Sequence, residues 1–163
     1  MKSIFKLLFA TFLTVAPLTA NAQSNVAHIN VQQLISEMPE VIAAQNELAK
    51  LEKDYTTQID NAFKEFQTKA QSYSSDAANQ TDVTNQARQK ELESMQTNLQ
   101  EFRDSAAQEL QKKQMDLMTP LLEKARNAIT KVGEEQGFNY VIDSSPNGGI
   151  ILANGKDLLA DVK

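Results

Sequence analysis

The sequence predicts a mainly α-helical protein: a long antiparallel helical hairpin, an arm of coiled-coil type, emerging from a small three-strand body built from both chain ends. Three observations predict it. An apolar stripe between positions 48 and 73 returns every 11 residues; apolar positions on either side of 74–82 pair with a constant sum; and β-branched runs cluster near the ends, around 26–31 and 140–152. The resulting division is a leader at 1–22, a body from 23–39 and 120–163, and an arm at 40–119 with its tip near 74–82.

The leader has a basic start (Lys2, Lys6), an apolar run from Leu7 to Val15 and a small-x-small site, Ala20-Asn21-Ala22. This is the pattern of a cleaved secretory signal. Broken by Thr11, Thr14 and Pro17, the run is too short to span a ~30 Å hydrocarbon core. No Cys follows the small residues, so a lipid anchor is not expected, and the product should be soluble outside the cytoplasm. Val26 to Val31 then read as a short strand with at least one buried face. Ser36-Glu37-Met38-Pro39-Glu40 interrupts it with a helix-entry signature, and from Val41 the period is helical.

Leu48, Leu51, Tyr55, Ile59, Ala62, Phe66, Ala70 and Tyr73 advance by threes and fours, repeating every 11 residues. Such a repeat is close to the pitch of an undistorted α-helix and gives a straight rod. Ser74 to Asp82 lose the period and collect turn and capping residues, with Asp82 placed to cap the second helix. That helix carries Ala87, Leu92, Met95, Leu99, Phe102, Ala106, Leu110 and Leu117 onward, and should end near Gly137. Leu48 with Leu110, Ile59 with Leu99, Phe63 with Met95, Phe66 with Leu92 and Val41 with Leu117 all have position numbers totalling 158. The turn centre therefore falls at 79. The same rule sets Pro39 opposite Thr119, beside Pro120, so both prolines mark one level where arm meets body and serve as a candidate hinge. Beyond Gly137, Tyr140 to Asp143 and Ile150 to Leu152 read as two strands joined by a Pro-Asn-Gly-Gly turn, and Asp157 to Val162 as a short helix. So small a body encloses little core alone, and association through its sheets is the natural remedy.

Composition removes most chemistry. Without the leader, 141 residues carry 14 basic and 21 acidic side chains, a poor match to nucleic acid. Cys is absent and His28 is the single histidine, which removes thiolate nucleophiles, disulfides and multi-histidine metal centres. His28 itself reads as a packed or surface residue. Gly149, Gly155 and Lys156 have the wrong spacing for a phosphate loop, and Asn79-Gln80-Thr81 is a three-residue match to a glycosylation acceptor. The charges at Glu47, Lys50, Glu52, Lys53 and Asp54 describe a solvated helix face. No enzyme, cofactor or metal is expected.

The arm's large apolar side chains are the remaining signal. Tyr55, Phe63, Phe66, Tyr73, Met95, Phe102, Met115 and Met118 exceed what a single seam needs, since two helices cover only part of each other's surface. Two placements stay open: the hairpin seam, to which Phe63, Phe66 and Met95 fit by the pairing rule, and a sheltered space where adaptable side chains hold nonpolar segments of other proteins.

With VAHINVQQLISEMPE at the start, LMTPLLEKARNAITKVGEEQGFNYVID after the hairpin and ILANGKDLLADVK at the end, the mature chain resembles the Skp (OmpH-like) family of periplasmic chaperones. The most telling part is 117–143, where a proline-containing helix runs into Gly137, Phe138, Val141 and Asp143. The resemblance implies a homotrimer of jellyfish shape, in which strands of three chains make a barrel-like body and three arms surround a cavity. Unfolded outer-membrane proteins would be held there without ATP. The assembly role would fall on Val26, Ile29, Val31, Val141, Ile142, Ile150, Ile151 and Leu152. One departure concerns charge: from Lys64 to Gln100 the chain has four basic and five acidic residues, whereas the family's best-known member has basic arms. Contact with membrane lipid is therefore disfavoured. The rival reading is an adaptor coiled coil of the periplasm that docks one specific partner.

Overall fold

A computed structural model describes residues 25–163, and the expected signal segment at 1–22 lies outside the described residues. The chain opens with strand β1 (Val26–Ile29), whose alternation buries Ala27 and Ile29 and turns Val26 and His28 to the opposite face. The strand ends two residues earlier than the β-branched run to Val31 suggests. Asn30 accepts a hydrogen bond from the Gln33 N–H at 2.9 Å and so caps helix α1 (Val31–Glu37). Val31, expected in a strand, therefore starts a helix, because a cap satisfies amide donors that a continuing strand would leave unpaired. Leu34 is the buried residue of this seven-residue helix.

Met38 adopts an extended conformation, as the residue before a proline must, and Pro39 occupies the first turn of helix α2 (Pro39–Asp76). Its 38 residues make a rod of ~57 Å at 1.5 Å per residue. A single 3₁₀ turn (Ala77–Asn79) reverses the chain, centred one residue before the position the pairing rule gives. Helix α3 (Asp82–Glu135) begins with Thr81, not Asp82, as its cap: the Thr81 hydroxyl accepts from the Thr84 N–H at 3.2 Å. Helix α3 runs through Pro120 without a break. It ends on Gly137, which takes φ 73°. Phe138 N–H donates to Gly133 C=O at 2.9 Å and Gly137 N–H to Glu134 C=O at 3.0 Å, closing the helix in a Schellman motif.

Tyr55 and Phe102 meet edge to face across the hairpin at 6.0 Å between ring centres, their position numbers totalling 157, within one of the pairing rule. Ion pairs tie the two rods at Glu47–Lys113 (2.8 Å), at Lys69–Glu91 (2.5 Å) and at Glu40–Lys124. Their position numbers total 160 to 164, slightly above the apolar pairs. Helical side chains lean toward their own N-terminus, so long polar ones on antiparallel rods meet from Cα atoms that are offset along the axis.

The sheet differs from expectation. Strand β2 (Tyr140–Asp143) pairs parallel to β1, Val26 opposite Tyr140 and Ile29 opposite Asp143. The other flank of β1 is taken by β3 (Lys156–Asp157), also parallel, giving the order β2-β1-β3. Ile150 to Leu152 form no strand, and no hairpin joins them to β2. The Pro-Asn-Gly-Gly segment instead starts a crossover from one edge of the sheet to the other, the kind of long connection that parallel strands require. Helix α4 (Leu159–Val162) closes the chain, its Leu159 N–H held by Asp157 at 2.9 Å.

The core sits in this body. Ala27, Ile29, Leu34, Ala125 and Leu158 are buried together, with Ile129, Val132, Phe138 and Val141 packed around them. Gly133 is required there: a Cβ on it would lie 2.8 Å from a methyl of Val141, so the glycine sets how closely β2 approaches α3.

Candidate functional site

Two surfaces are left incomplete by this fold. The first is the arm. Between Pro39 and Met118 its buried residues are Val41, Ala44, Leu99 and Ala106, and none of the four is aromatic or Met. Sealing is thus confined to small or medium side chains near the base and middle. Tyr55, Phe66, Tyr73, Met95, Phe102 and Met118 are only half-buried in the seam, and Phe63 and Met115 are 41% and 56% exposed.

Around Leu99 the seam opens on both flanks. One groove, of about 460 Å³, has Met95 and Phe102 in its floor and Gln58, Asn61 and Asn98 along its rim. Its counterpart, of about 540 Å³, is built on Phe63 and Phe66, whose rings stack at 6.5 Å, with Gln96, Gln100 and Arg103 beside them. An apolar floor bordered by amides, with Glu65 at one rim and Glu93 and Arg103 at the other, can receive a hydrocarbon side chain and also pair with the peptide groups that flank it.

The tip is fastened differently. Glu91 accepts hydrogen bonds from Lys69 at 2.5 Å and from the Tyr73 hydroxyl at 2.6 Å. Arg88 pairs with Asp76 at 3.1 Å while its guanidinium lies 4.7 Å above the Tyr73 ring. Lys69, then Tyr73, hold the Glu91 carboxyl below its usual range, and Arg88 and Asn79 do the same for Asp76. The Glu91 carboxylate in turn pushes the Tyr73 hydroxyl and the Lys69 ammonium up. Tyr73 is thereby engaged within its own hairpin through both hydroxyl and ring face, unlike Phe63.

The second surface is the outer face of the sheet. Val26 and Ile142, 37% and 39% exposed, share it with Tyr140, 62% exposed. Ile150, Ile151 and Leu152 add an apolar stretch in the crossover, with Ile151 fully open to solvent. Ile29 and Val141 point the other way into the chain's own core, and Val31 packs against that core from α1. The residues associated with assembly thus separate into an outward set and an inward set. Tyr140 belongs to the outward set and was not singled out from sequence, although the Tyr140-Val141-Ile142 alternation carries the signal.

Pro39 and Pro120 flank the base. Pro39 lines a shallow cleft together with Ala125 and Ala128, and the Glu40–Lys124 and Glu37–Lys163 ion pairs bracket this junction. At Pro120 the missing N–H leaves the Asp116 carbonyl without its helical partner. Asp143, the last residue of the Gly-aromatic strand signature, has a local structural task. Burial pushes its carboxyl up, but bonds from the Ser145 hydroxyl at 2.6 Å, from the Ser145 N–H at 2.9 Å and from the Val31 N–H at 3.3 Å outweigh this and leave it lowered. The carboxylate joins the end of β2 to the start of α1.

His28 contacts the Ser144 hydroxyl at 3.2 Å, with no carboxylate partner for proton transfer among its hydrogen bonds. Among the described residues no group of His, Asp and Glu comes together that could hold a metal ion, and no helix is long and apolar enough to cross a membrane.

Comparison with known proteins agrees with this architecture. The chaperone protein Skp of Yersinia enterocolitica is 26% identical over 144 residues, which cover 85% of this chain and 84% of that protein. Chaperone protein Skp of Pectobacterium atrosepticum is 20% identical over 147 residues, covering 90% and 88%. A family model described as Outer membrane protein (OmpH-like) matches residues 25–163, every described residue of the arm and body, and the chain therefore belongs to the OmpH-like family.

Proposed function

We propose that this protein is an ATP-independent holdase chaperone of the periplasm, a homotrimer that shelters unfolded outer-membrane proteins between its helical arms before they are inserted. The observation that carries this reading is the unsealed arm: its aromatic and Met side chains are half-buried or exposed, and apolar grooves open on both sides of Leu99. A binder of unfolded chains needs adaptable apolar surface that a self-contained rod would have closed. Clients would contact Phe63, Met115 and Met118 and the exposed edges of Tyr55, Phe66, Met95 and Phe102, with Tyr73 contributing least.

Trimer assembly would use the outward sheet set, namely Val26, Tyr140, Ile142 and Ile150 to Leu152, with Ile29, Val31 and Val141 supporting it from within. Pro39 and Pro120 would let the arms splay at their base as clients differ in size. Contact with anionic lipid is not part of the reading. Of the four cations in 64–100, Lys69 and Arg88 are already paired inside the hairpin, which leaves the tip without a basic patch.

A urea-unfolded outer-membrane porin diluted into buffer tests the reading by light scattering. Substoichiometric trimer should suppress scattering without ATP, and the Phe63→Ser, Met115→Ser double variant should suppress it less at unchanged mass. Failure of the unmodified protein at every ratio would favour the adaptor coiled coil. Native mass spectrometry reporting a monomer would remove the cavity altogether. Replacing both Pro39 and Pro120 by Ala should narrow the range of client sizes held.

A further inference from the structure

The crossover between β2 and β3 contains two Asn-Gly pairs, Asn147-Gly148 and Asn154-Gly155, the only two in the chain. Asn-Gly is the dipeptide in which a side-chain amide is most open to attack by the backbone, because glycine has no Cβ to shield the following peptide nitrogen. Attack also requires that this nitrogen not be held in a hydrogen bond. The two pairs differ on that point.

Gly148 N–H donates to the Ser145 carbonyl at 2.8 Å, which holds the nitrogen away from the Asn147 side chain. Gly155 N–H donates to no group among the described residues. The reason lies in the strand geometry. Leu158 N–H donates to His28 C=O at 3.0 Å, and successive amides of an extended chain point to opposite edges, so those of Leu158 and Lys156 face β1 and that of Gly155 faces away. Strand β3 is an edge strand, and no further strand pairs with that side among the described residues. Asn154 is itself exposed and its amide makes no hydrogen bond there.

We propose that Asn154, and not Asn147, is a site of spontaneous backbone modification through a succinimide. The deprotonated Gly155 nitrogen forms a bond to the Asn154 side-chain carbonyl carbon, the C–N bond to the side-chain amide breaks, and ammonia leaves. Water then opens the five-membered ring at either carbonyl, giving an aspartyl or an isoaspartyl residue. The net change is one amide and one water converted to one carboxylate and ammonium, with no oxidation and no enzyme. The isoaspartyl product places an extra methylene in the main chain two residues before Lys156. That shift breaks the register of Lys156 opposite Ala27 and Asp157 opposite His28, and with it the seat of the fully buried Leu158.

The test uses the mature protein in its native assembly, aged at mildly alkaline pH in water enriched in heavy oxygen and read by peptide mass spectrometry with fragmentation that separates aspartyl from isoaspartyl. Heavy oxygen should enter residue 154 severalfold faster than residue 147, mostly as isoaspartate, and Asn127 inside α3 should stay unlabelled. Label at residue 147 equal to or ahead of residue 154 would overturn the assignment. So would a rate at residue 154 no greater than at Asn127, the result if assembly encloses the crossover. Asn154→Gln should abolish label at that position and leave residue 147 unchanged. It is preferable to Gly155→Ala, whose Cβ would lie 3.0 Å from the Val26 carbonyl oxygen. In the converted fraction, amides of Lys156 to Leu158 should exchange hydrogen faster than in Asn154→Gln, and equal exchange would refute the loss of β3.

Discussion

The body and the arm use apolar residues in opposite ways. In the body a few side chains from distant positions converge until they are sealed, with Ile29 at 1% and Leu158 at 0% exposure. Along the arm a longer run of larger residues is spread over two rods, and almost all of it keeps an exposed edge. The body reaches closure with residues of β1 and β2, of α1, α3 and α4 and of the loops between them, whereas each rod of the arm has one neighbour on one side. What this teaches is that length alone does not bury a stripe: a third partner is needed, and the arm has none among the described residues.

Predictions that break or sharpen the contrast begin with the body. Leu158→Ala removes a fully enclosed side chain and should cost about 3 kcal/mol in denaturant unfolding, a typical value for deleting a buried leucine. Tyr55→Ala removes an edge-to-face pair from the half-open seam and should cost about 1 kcal/mol, since aromatic pairs add roughly 0.5–1.5 kcal/mol. A loss as large as that of Leu158→Ala would mean that the seam is better sealed than its exposure indicates. Thr81→Ala deletes the cap of α3 and should cost somewhat less than 1 kcal/mol, seen as faster hydrogen exchange in the first turn after the tip.

The smallest effect concerns acid. Glu91 and Asp76 have lowered carboxyl groups in the folded tip, so their contribution is fully present above the ordinary values of about 4.3 and 3.9. It is lost as pH falls through the lower folded values, because the unfolded chain then takes up protons first. Amide exchange at the tip should therefore rise at the acid end of this window, and Glu91→Gln should flatten the response there. Body amides near Asp143 and Asp161, also lowered, should keep their own acid response in that variant.

The hairpin was legible because its signal is long and repetitive. An 11-residue period fixes a helix, and pairs such as Ile59 with Leu99 fix the pairing and therefore the turn. Gly137 marked the helix end through the one backbone conformation in which it is favoured. Helix α1 was missed although Asn30 and Gln33 stand in the spacing of a capping box, because the β-branched residues before them carried the strand reading too far. The sheet was misread for a deeper reason. Ile150-Ile151-Leu152 has every local property of a strand and lies in a connection, whereas Lys156-Asp157 has none and lies in the sheet. Strand β3 exists because β1 offers an open edge and Leu158 needs a hollow to fill, and neither fact is local. For the arm surface, composition pointed to Tyr55, Phe63 and Met115 alike. Only their orientation separates an aromatic braced against Phe102 from a thioether left in solvent.

Strand β1 lies in the middle of the sheet, and both of its neighbours come from the opposite terminus. Strand β1 therefore stays unpaired until partners more than a hundred residues later in the chain reach it. The helical rods can zip from their bend outward through contacts close in sequence, but the sheet closes only across separations of more than a hundred residues, so the arm is expected to form early and the body late.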